Sequence, residues 1–201
     1  MRKLLLFLLV LAAFVAHNQW KYRPVVHEPG VLVSFDPVQK NLANPVAFAF
    51  QGFTITPRAE FDIQARVLGR ETYFFGNESD LSPIDLALGW KRMSDQSVVD
   101  RMSIRQSGRW YYTRYAFPPP IPEQEIIRSS ANMHMIPADT HTERELKSIR
   151  PGEVVRIRGY LVDIDHESGW KWRTSMTRAD TGDGACELIY VEDVSRLTPS
   201  G

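Results

Sequence analysis

Thirteen consecutive apolar residues, Leu4 to Ala16, constrain this chain more than any other stretch, and six of them are leucine. A surface helix of a globular domain needs a polar stripe, and this run has none, so it must be surrounded by lipid or by core on every side. Arg2 and Lys3 precede it, and His17-Asn18-Gln19 end it. On an insertion scale its Leu, Phe and Val side chains together favour the membrane by roughly 3–6 kcal/mol. The length suits the core of a signal peptide. Cleavage, however, wants small residues one and three positions before the cut. Cuts after Ala16 or Ala13 put Phe14 or Leu11 at the third position. Counted on to Trp20 the segment has 17 residues, about 25 Å of helix, with Trp20-Lys21-Tyr22-Arg23 as an aromatic and basic collar. Residues 1–23 are therefore expected to be a signal anchor, with a signal peptide as the alternative, touching the lipid bilayer through residues 4–20.

The formal net charge of zero hides an asymmetry. Residues 1–23 carry Arg2, Lys3, Lys21 and Arg23 and no acid, which leaves 20 Lys and Arg against 24 Asp and Glu in the rest, a net of −4. A mildly acidic body does not steer toward nucleic acid, and none is expected as a partner. Cys186 is the one cysteine, so no internal disulfide is available and the core must hold the fold unaided. It stands in Ala-Cys-Glu-Leu-Ile-Tyr-Val, on the strand face shared with Leu188 and Tyr190, and reads as a small buried hydrophobe.

Residues 24–44 read as an extended stalk with a short strand at Val31–Ser34. In residues 45–138, a β-rich subdomain is expected. Pro45–Thr56 forms a strand with a bulge at Gly52, and Phe61–Leu68 a strand with one buried face. Ser82-Pro83-Ile84-Asp85 offers capping residues for a helix over Ile84–Trp90, and Ser94-Asp95 cap a second helix carrying Val98, Val99 and Met102. Strands Ser103–Gln106 and Arg109–Phe117 turn at Ser107-Gly108, before the stiff stretch Phe117–Pro122. Residues 139–198 form the second subdomain: a short helix from the Thr142–Glu145 capping box to Ile149, then strands Glu153–Asp165, Trp170–Thr177 and Ala185–Val194. The turn-rich Arg178–Gly184 joins the last two.

At residues 151–164, Pro-Gly-Glu-Val-Val-Arg-Ile-Arg-Gly-Tyr-Leu-Val-Asp-Ile, the chain resembles the long first strand of the oligonucleotide/oligosaccharide-binding (OB) barrel, bent by a glycine at its middle. Through Asp80–Trp90, Ser130–Pro137 and Arg178–Glu187 it also resembles a group of small bacterial membrane-associated proteins. That resemblance implies an envelope location, with the body on the periplasmic side of a bacterial inner membrane. It carries over no reaction, ligand or catalytic residue. The fold class expected is mainly β (α+β): a membrane segment, then a β-rich body with short helices and a small OB-like antiparallel barrel.

Several constellations invite chemistry and fall short of it. Asp180-Thr181-Gly182 is the aspartic-peptidase tripeptide, but that reaction needs two carboxylates sharing a proton, and a hairpin turn explains the residues better. His134, Asp139 and His141 have a spacing that matches no common zinc pattern. Ser129 or Ser130 with Lys147 suggests a dyad, yet Lys147 falls on a surface helix. No catalytic residue, metal ligand or cofactor is assigned. The binding candidates are aromatic rings interleaved with cations: Trp110, Tyr112 and Arg114 on one strand face, and Trp170, Trp172 and Arg173 further on. Such a face suits a glycan or an envelope protein. The leading expectation is a non-enzymatic binding or assembly module, and the alternative is a membrane-anchored hydrolase using Ser130, Lys147 or His134.

Overall fold

The structure, a computed structural model, describes residues 2–178, 182 and 185–198. Helix α1, Arg2–Lys21, carries the apolar run, and Leu4 to Leu11 are exposed on all its sides. Among the described residues no helix is long and apolar enough to cross a membrane. The unbroken apolar part accounts for this: at 1.5 Å per residue it covers about 20 Å, against a hydrocarbon core of ~30 Å.

The segment read as a stalk is bound to the body. Val25 donates its N–H to the Pro151 carbonyl at 2.8 Å, and His27 donates its own to Gln96 Oε1 at 3.0 Å. Leu32 and Val33 both donate to Ser94 Oγ, at 3.1 and 3.0 Å. No strand forms at Val31–Ser34, but Val33 enters the core. Strand β1, Val38–Asn41, then pairs antiparallel with the next long strand.

The expected strand over 45–56 splits at its glycine. Strand β2, Phe48–Phe50, and strand β3, Phe53–Thr72, form a hairpin turned at Gln51-Gly52, both of which have positive φ. Strand β3 is 20 residues long and pairs with four other strands of the sheet. A short helix α2, Asn77–Leu81, leads to strand β4, Ile84–Gly89, where a helix was expected. All six residues of β4 are buried between β3 and the following barrel strand. A strand covered on both faces shows a continuous apolar run, which local capping signals cannot tell from a helix.

A short 3₁₀ turn at Lys91–Ser94 and helix α3, Gln96–Val99, follow, with Asp95 capping α3 by accepting from the Ser97 N–H at 2.8 Å. Strands β5, Met102–Ser107, and β6, Trp110–Tyr115, make a separate hairpin. Helix α4, Glu123–Arg128, precedes strand β7, Ser130–Pro137. Helix α5, Thr140–Ser148, starts two residues before the capping box and takes its cap from Asp139, whose carboxylate accepts from the Thr142 N–H at 2.7 Å. Strand β8 is Val154–His166, β9 only Lys171–Trp172, and β10 Glu187–Leu197.

Five of these strands close a ring: β3 pairs with β4, β4 with β7, β7 with β10, β10 with β8, and β8 back with β3. Every pairing is antiparallel except β7 with β10. The fold is thus a β-rich α+β fold on a mixed sheet, not a purely antiparallel one. The boundary expected near residue 138 runs through the ring, because β3, β4 and β7 precede it while β8 and β10 follow. One core fills the interior with residues of both halves, among them Ile63, Leu86, Met133, Ile157 and Val191. The strand expected to open the barrel, β8, is the fourth of the five in chain order.

Candidate functional site

Alternation along β7 sends Met133 and Met135 into the interior and leaves Asn132 and His134 on the outer wall. Strand β4 lies beside it in register, with Asp85 opposite His134 and Ala87 opposite Asn132. The β5–β6 hairpin reaches over this wall and lowers Gln106 and Arg109 onto it. Asp85 becomes the centre of a buried polar cluster, itself wholly removed from solvent.

Four neighbours hold the Asp85 carboxylate. Arg109 Nη1 donates to Oδ1 at 2.9 Å, and Asn132 Nδ2 approaches Oδ2 at 3.4 Å. The Tyr73 hydroxyl lies 3.0 Å from Oδ2 and 2.9 Å from Glu71 Oε2, so one proton serves two carboxylates. Burial first, then these carboxylates, push the Tyr73 phenol well above its ordinary pKa. His134 Nδ1 sits 2.8 Å from Asp85 Oδ1, but off the ring N–H direction, so the two are in close contact without a linear hydrogen bond. Arg109 also donates to the Ser82 carbonyl at 2.9 Å and pairs with Glu78 at 3.2 Å. Its guanidinium lies 4.0 Å from the Tyr73 ring centre and 5.2 Å from that of Trp172.

Above the cluster opens a cleft of about 420 Å³. His134 lines it, and Trp172 packs against the imidazole at a tilt of 43°, ring centres 4.8 Å apart. Glu78, Arg109, Trp110, Arg173 and Cys186 also line it. A second cavity of about 200 Å³ shares Trp110, Gly182 and Cys186 with it and continues past Asn132 toward α4. The cleft thus carries two indole rings, two guanidiniums, a carboxylate, an imidazole and a thiol.

The residues singled out in the sequence scatter over three places. Trp110, Trp172 and Arg173 meet at the cleft. Trp170 is half-buried beside it, edge-on to Trp172 at 5.9 Å and packed against Phe53. Tyr112 and Arg114 share the face of Trp110 but line a shallow depression along the outer face of the hairpin, with Ser103 and Arg105. The groups offered for hydrolysis are not brought together. Ser130 Oγ donates to the Ile126 carbonyl, Lys147 pairs with Glu143 along α5, and His134 contacts Asp85. Asp139 caps α5, and among the described residues no group of three His, Cys, Asp or Glu comes together to hold a metal. Asp180 and Thr181 lie outside the described residues. Asp85, Arg109 as its partner, and Tyr73 were missed. Each lies in a stretch whose local pattern pointed elsewhere; the β3–β4 ladder brings Tyr73 to Asp85, and the β5–β6 hairpin lowers Arg109 onto it.

Comparison with known proteins finds no match to any family, curated protein or solved structure.

Proposed function

We propose that the chain is a membrane-attached binding module of the OB type, its body on the extracytoplasmic side, which takes a glycan strand in the Trp110–Trp172 cleft. The strand order β3–β4–β7–β10–β8, closed onto β3, with α5 between the third and fourth strands, supports the OB reading. Such barrels bind oligosaccharides and oligonucleotides on the face of their second and third strands, flanked by the loops after the first and fourth. Here those are β4 and β7, the loop bearing Glu78, and the loop bearing Trp172, Arg173 and Cys186. One observation carries the proposal: the cleft lies on that face, with indole rings rimming polar groups. Sugar rings stack on indoles while their hydroxyls bond to charged side chains, and the acidic body disfavours a polyanion.

Attachment rests on α1. Its exposed apolar side chains and the Arg23 guanidinium, 5.6 Å from the Trp20 ring centre, suit a bilayer interface. Titration of N-acetylglucosamine oligomers against tryptophan fluorescence tests the ligand. Trp110→Ala and Trp172→Ala should each weaken binding about tenfold, the loss of roughly 1.4 kcal/mol typical of an aromatic anchor. Binding to single-stranded DNA with a steep salt slope, and none to glycan, would overturn the ligand assignment. Full-length protein recovered from the soluble fraction would overturn the attachment.

A further inference from the structure

Beyond the end of β3 the chain leaves the sheet in an apolar tip. Tyr73 still donates its N–H to the Pro83 carbonyl at 2.9 Å, and the chain then runs out through Phe74 and Phe75 and turns at Gly76, where φ is 99°. Phe74 is 74% exposed and Phe75 94%, whereas Leu81, at the end of the helix that follows, is buried. A single apolar side chain in water is ordinary. Two adjacent phenyl rings at the tip of a loop form a patch with no polar atom of its own, and such a patch marks a contact with something apolar.

The strap that follows α1 fixes where this tip lies relative to the helix. His27 bonds to Gln96 Oε1, which also accepts from Arg66. Val25 bonds to Pro151, whose neighbours Gly152 and Glu153 bond to Val67, and the Tyr22 ring centre lies 4.4 Å from the Arg70 guanidinium. From His27 back to Tyr22 the chain therefore travels along β3 from Arg66 to Arg70. That direction leads to Phe74, about 13 Å further on at 3.3 Å per residue. Helix α1 thus leaves the body at the end of the barrel that carries the tip. Phe117, 91% exposed, is at the other end. The Arg109 N–H bonds to the Tyr73 hydroxyl, and β6 runs from there back to Tyr115, which packs on the cluster of Met93 and Val98 with Leu68.

We propose that Phe74 and Phe75 insert into the surface of the same bilayer that α1 enters, as a second membrane contact that fixes the orientation of the body. The inference rests on the attachment of α1 argued above and not on the glycan. The exposed apolar side chains Leu4 to Leu11 and the Trp20–Arg23 collar place lipid at that end of the barrel, and the Tyr22–Arg70 contact joins the collar to the strand that ends in the tip. Phenyl rings without polar groups settle at the boundary between headgroups and acyl chains. Glu78 and Asp80 stand just behind the tip and Glu78 pairs with Arg109, so the attraction is apolar and needs no anionic lipid. Because Glu78 also lines the cleft, docking of the tip holds the cleft beside the membrane surface.

Because the chain has one cysteine, Cys186→Ser gives a cysteine-free full-length protein in which Phe75→Cys, Phe117→Cys and Leu8→Cys can each carry a nitroxide label in phosphatidylcholine vesicles. Power saturation with oxygen and with a water-soluble nickel chelate reads the depth of each label. The label at 75 should lie about 5–10 Å below the headgroups, the label at 8 deeper, and the label at 117 in water. A label at 75 in water with that at 8 in lipid overturns the docking and leaves the attachment standing. Labels at 8 and 75 both in water overturn the attachment and the docking with it. Dipolar broadening between labels at 75 shows a second copy of the chain on the tip and overturns lipid as its occupant. In the wild-type chain, a diazirine-bearing phosphatidylcholine should leave adducts on the peptide holding Phe74–Gly76 and none on that holding Phe117. Adducts in α1 without any at the tip overturn the docking with no substitution made.

Discussion

Asp85 and His134 face each other across the β4–β7 ladder, Oδ1 to Nδ1 2.8 Å apart, on the outer wall of the barrel beneath the β5–β6 hairpin. The contact makes the site a consequence of strand register. A slip of one residue in either strand would turn one of the two groups into the core.

The first prediction concerns Asp85. Replacing it with Leu removes the main anionic partner of Arg109, whose side chain is 14% exposed, and strips the Tyr73 and Asn132 groups of an acceptor. Breaking a buried pair from one side costs about 3–5 kcal/mol. In a chain of this size that lowers Tm by roughly 10 °C. Asp85→Asn keeps an oxygen acceptor of the same shape and should cost about 1–3 kcal/mol. Thermal unfolding by circular dichroism orders the two; equal losses would mean that charge plays no part.

The sequence made some of this legible. Ser107-Gly108 between alternating runs announced the β5–β6 hairpin, and the glycine-centred run 153–165 announced β8. The Trp-Lys-Trp-Arg pattern led to Trp172 and Arg173 at the cleft. Cys186, read as a buried residue within a strand, instead stands just before β10 and is half-buried, because the strand begins at Glu187 and the cleft opens beside it. Ile84–Gly89 was misread because Ser82, Pro83 and Asp85 imitate a helix start. In the fold Asp85 caps nothing and instead gathers Arg109, Tyr73 and His134. Buried long-range pairing overrode a local signal there, as it commonly does at functional sites.

Gly159 gives the second prediction. A Cβ built on it would lie 1.9 Å from the Tyr190 carbonyl oxygen, which is backbone and cannot rotate away. The close approach sits where β8 meets β10, beside the register shift between Val191 and Asp193. Gly159→Ala must therefore part the two strands or shift the bulge, at a cost of about 4 kcal/mol or more. Urea unfolding should show a large drop in midpoint, and a near-wild-type midpoint would refute the close approach.

The third concerns alkaline pH. Burial pushes the Tyr111 phenol up to about 12, only partly offset by its hydrogen bond to Ser130, and pushes Tyr73 up as well. In the unfolded chain both titrate near 10. Their contribution to stability is fully present below about pH 10 and is lost as pH rises toward 12, since the unfolded state releases the protons first. Absorbance titration of tyrosinate should find late-titrating groups among the seven tyrosines. Tyr111→Phe should remove one of them and flatten the loss of stability above about pH 10.

The last concerns how residues 24–33 are held. Ser94 Oγ accepts from the N–H groups of Leu32 and Val33 and lies 2.6 Å from the Lys91 carbonyl, so one hydroxyl joins the strap to the turn after β4. The backbone carbonyl of Ser94 in turn accepts from the buried Arg66 at 3.3 Å. Ser94→Ala leaves two amide donors without that acceptor, one of them on the buried Val33, which costs about 1–3 kcal/mol. Because Val25 and His27 have their own bonds to Pro151 and Gln96, the loss should stay local. Hydrogen exchange should speed up at Leu32 and Val33 while the amides of β3 and β8 keep their protection. Uniform acceleration across the barrel would show instead that the strap and the barrel unfold as one unit.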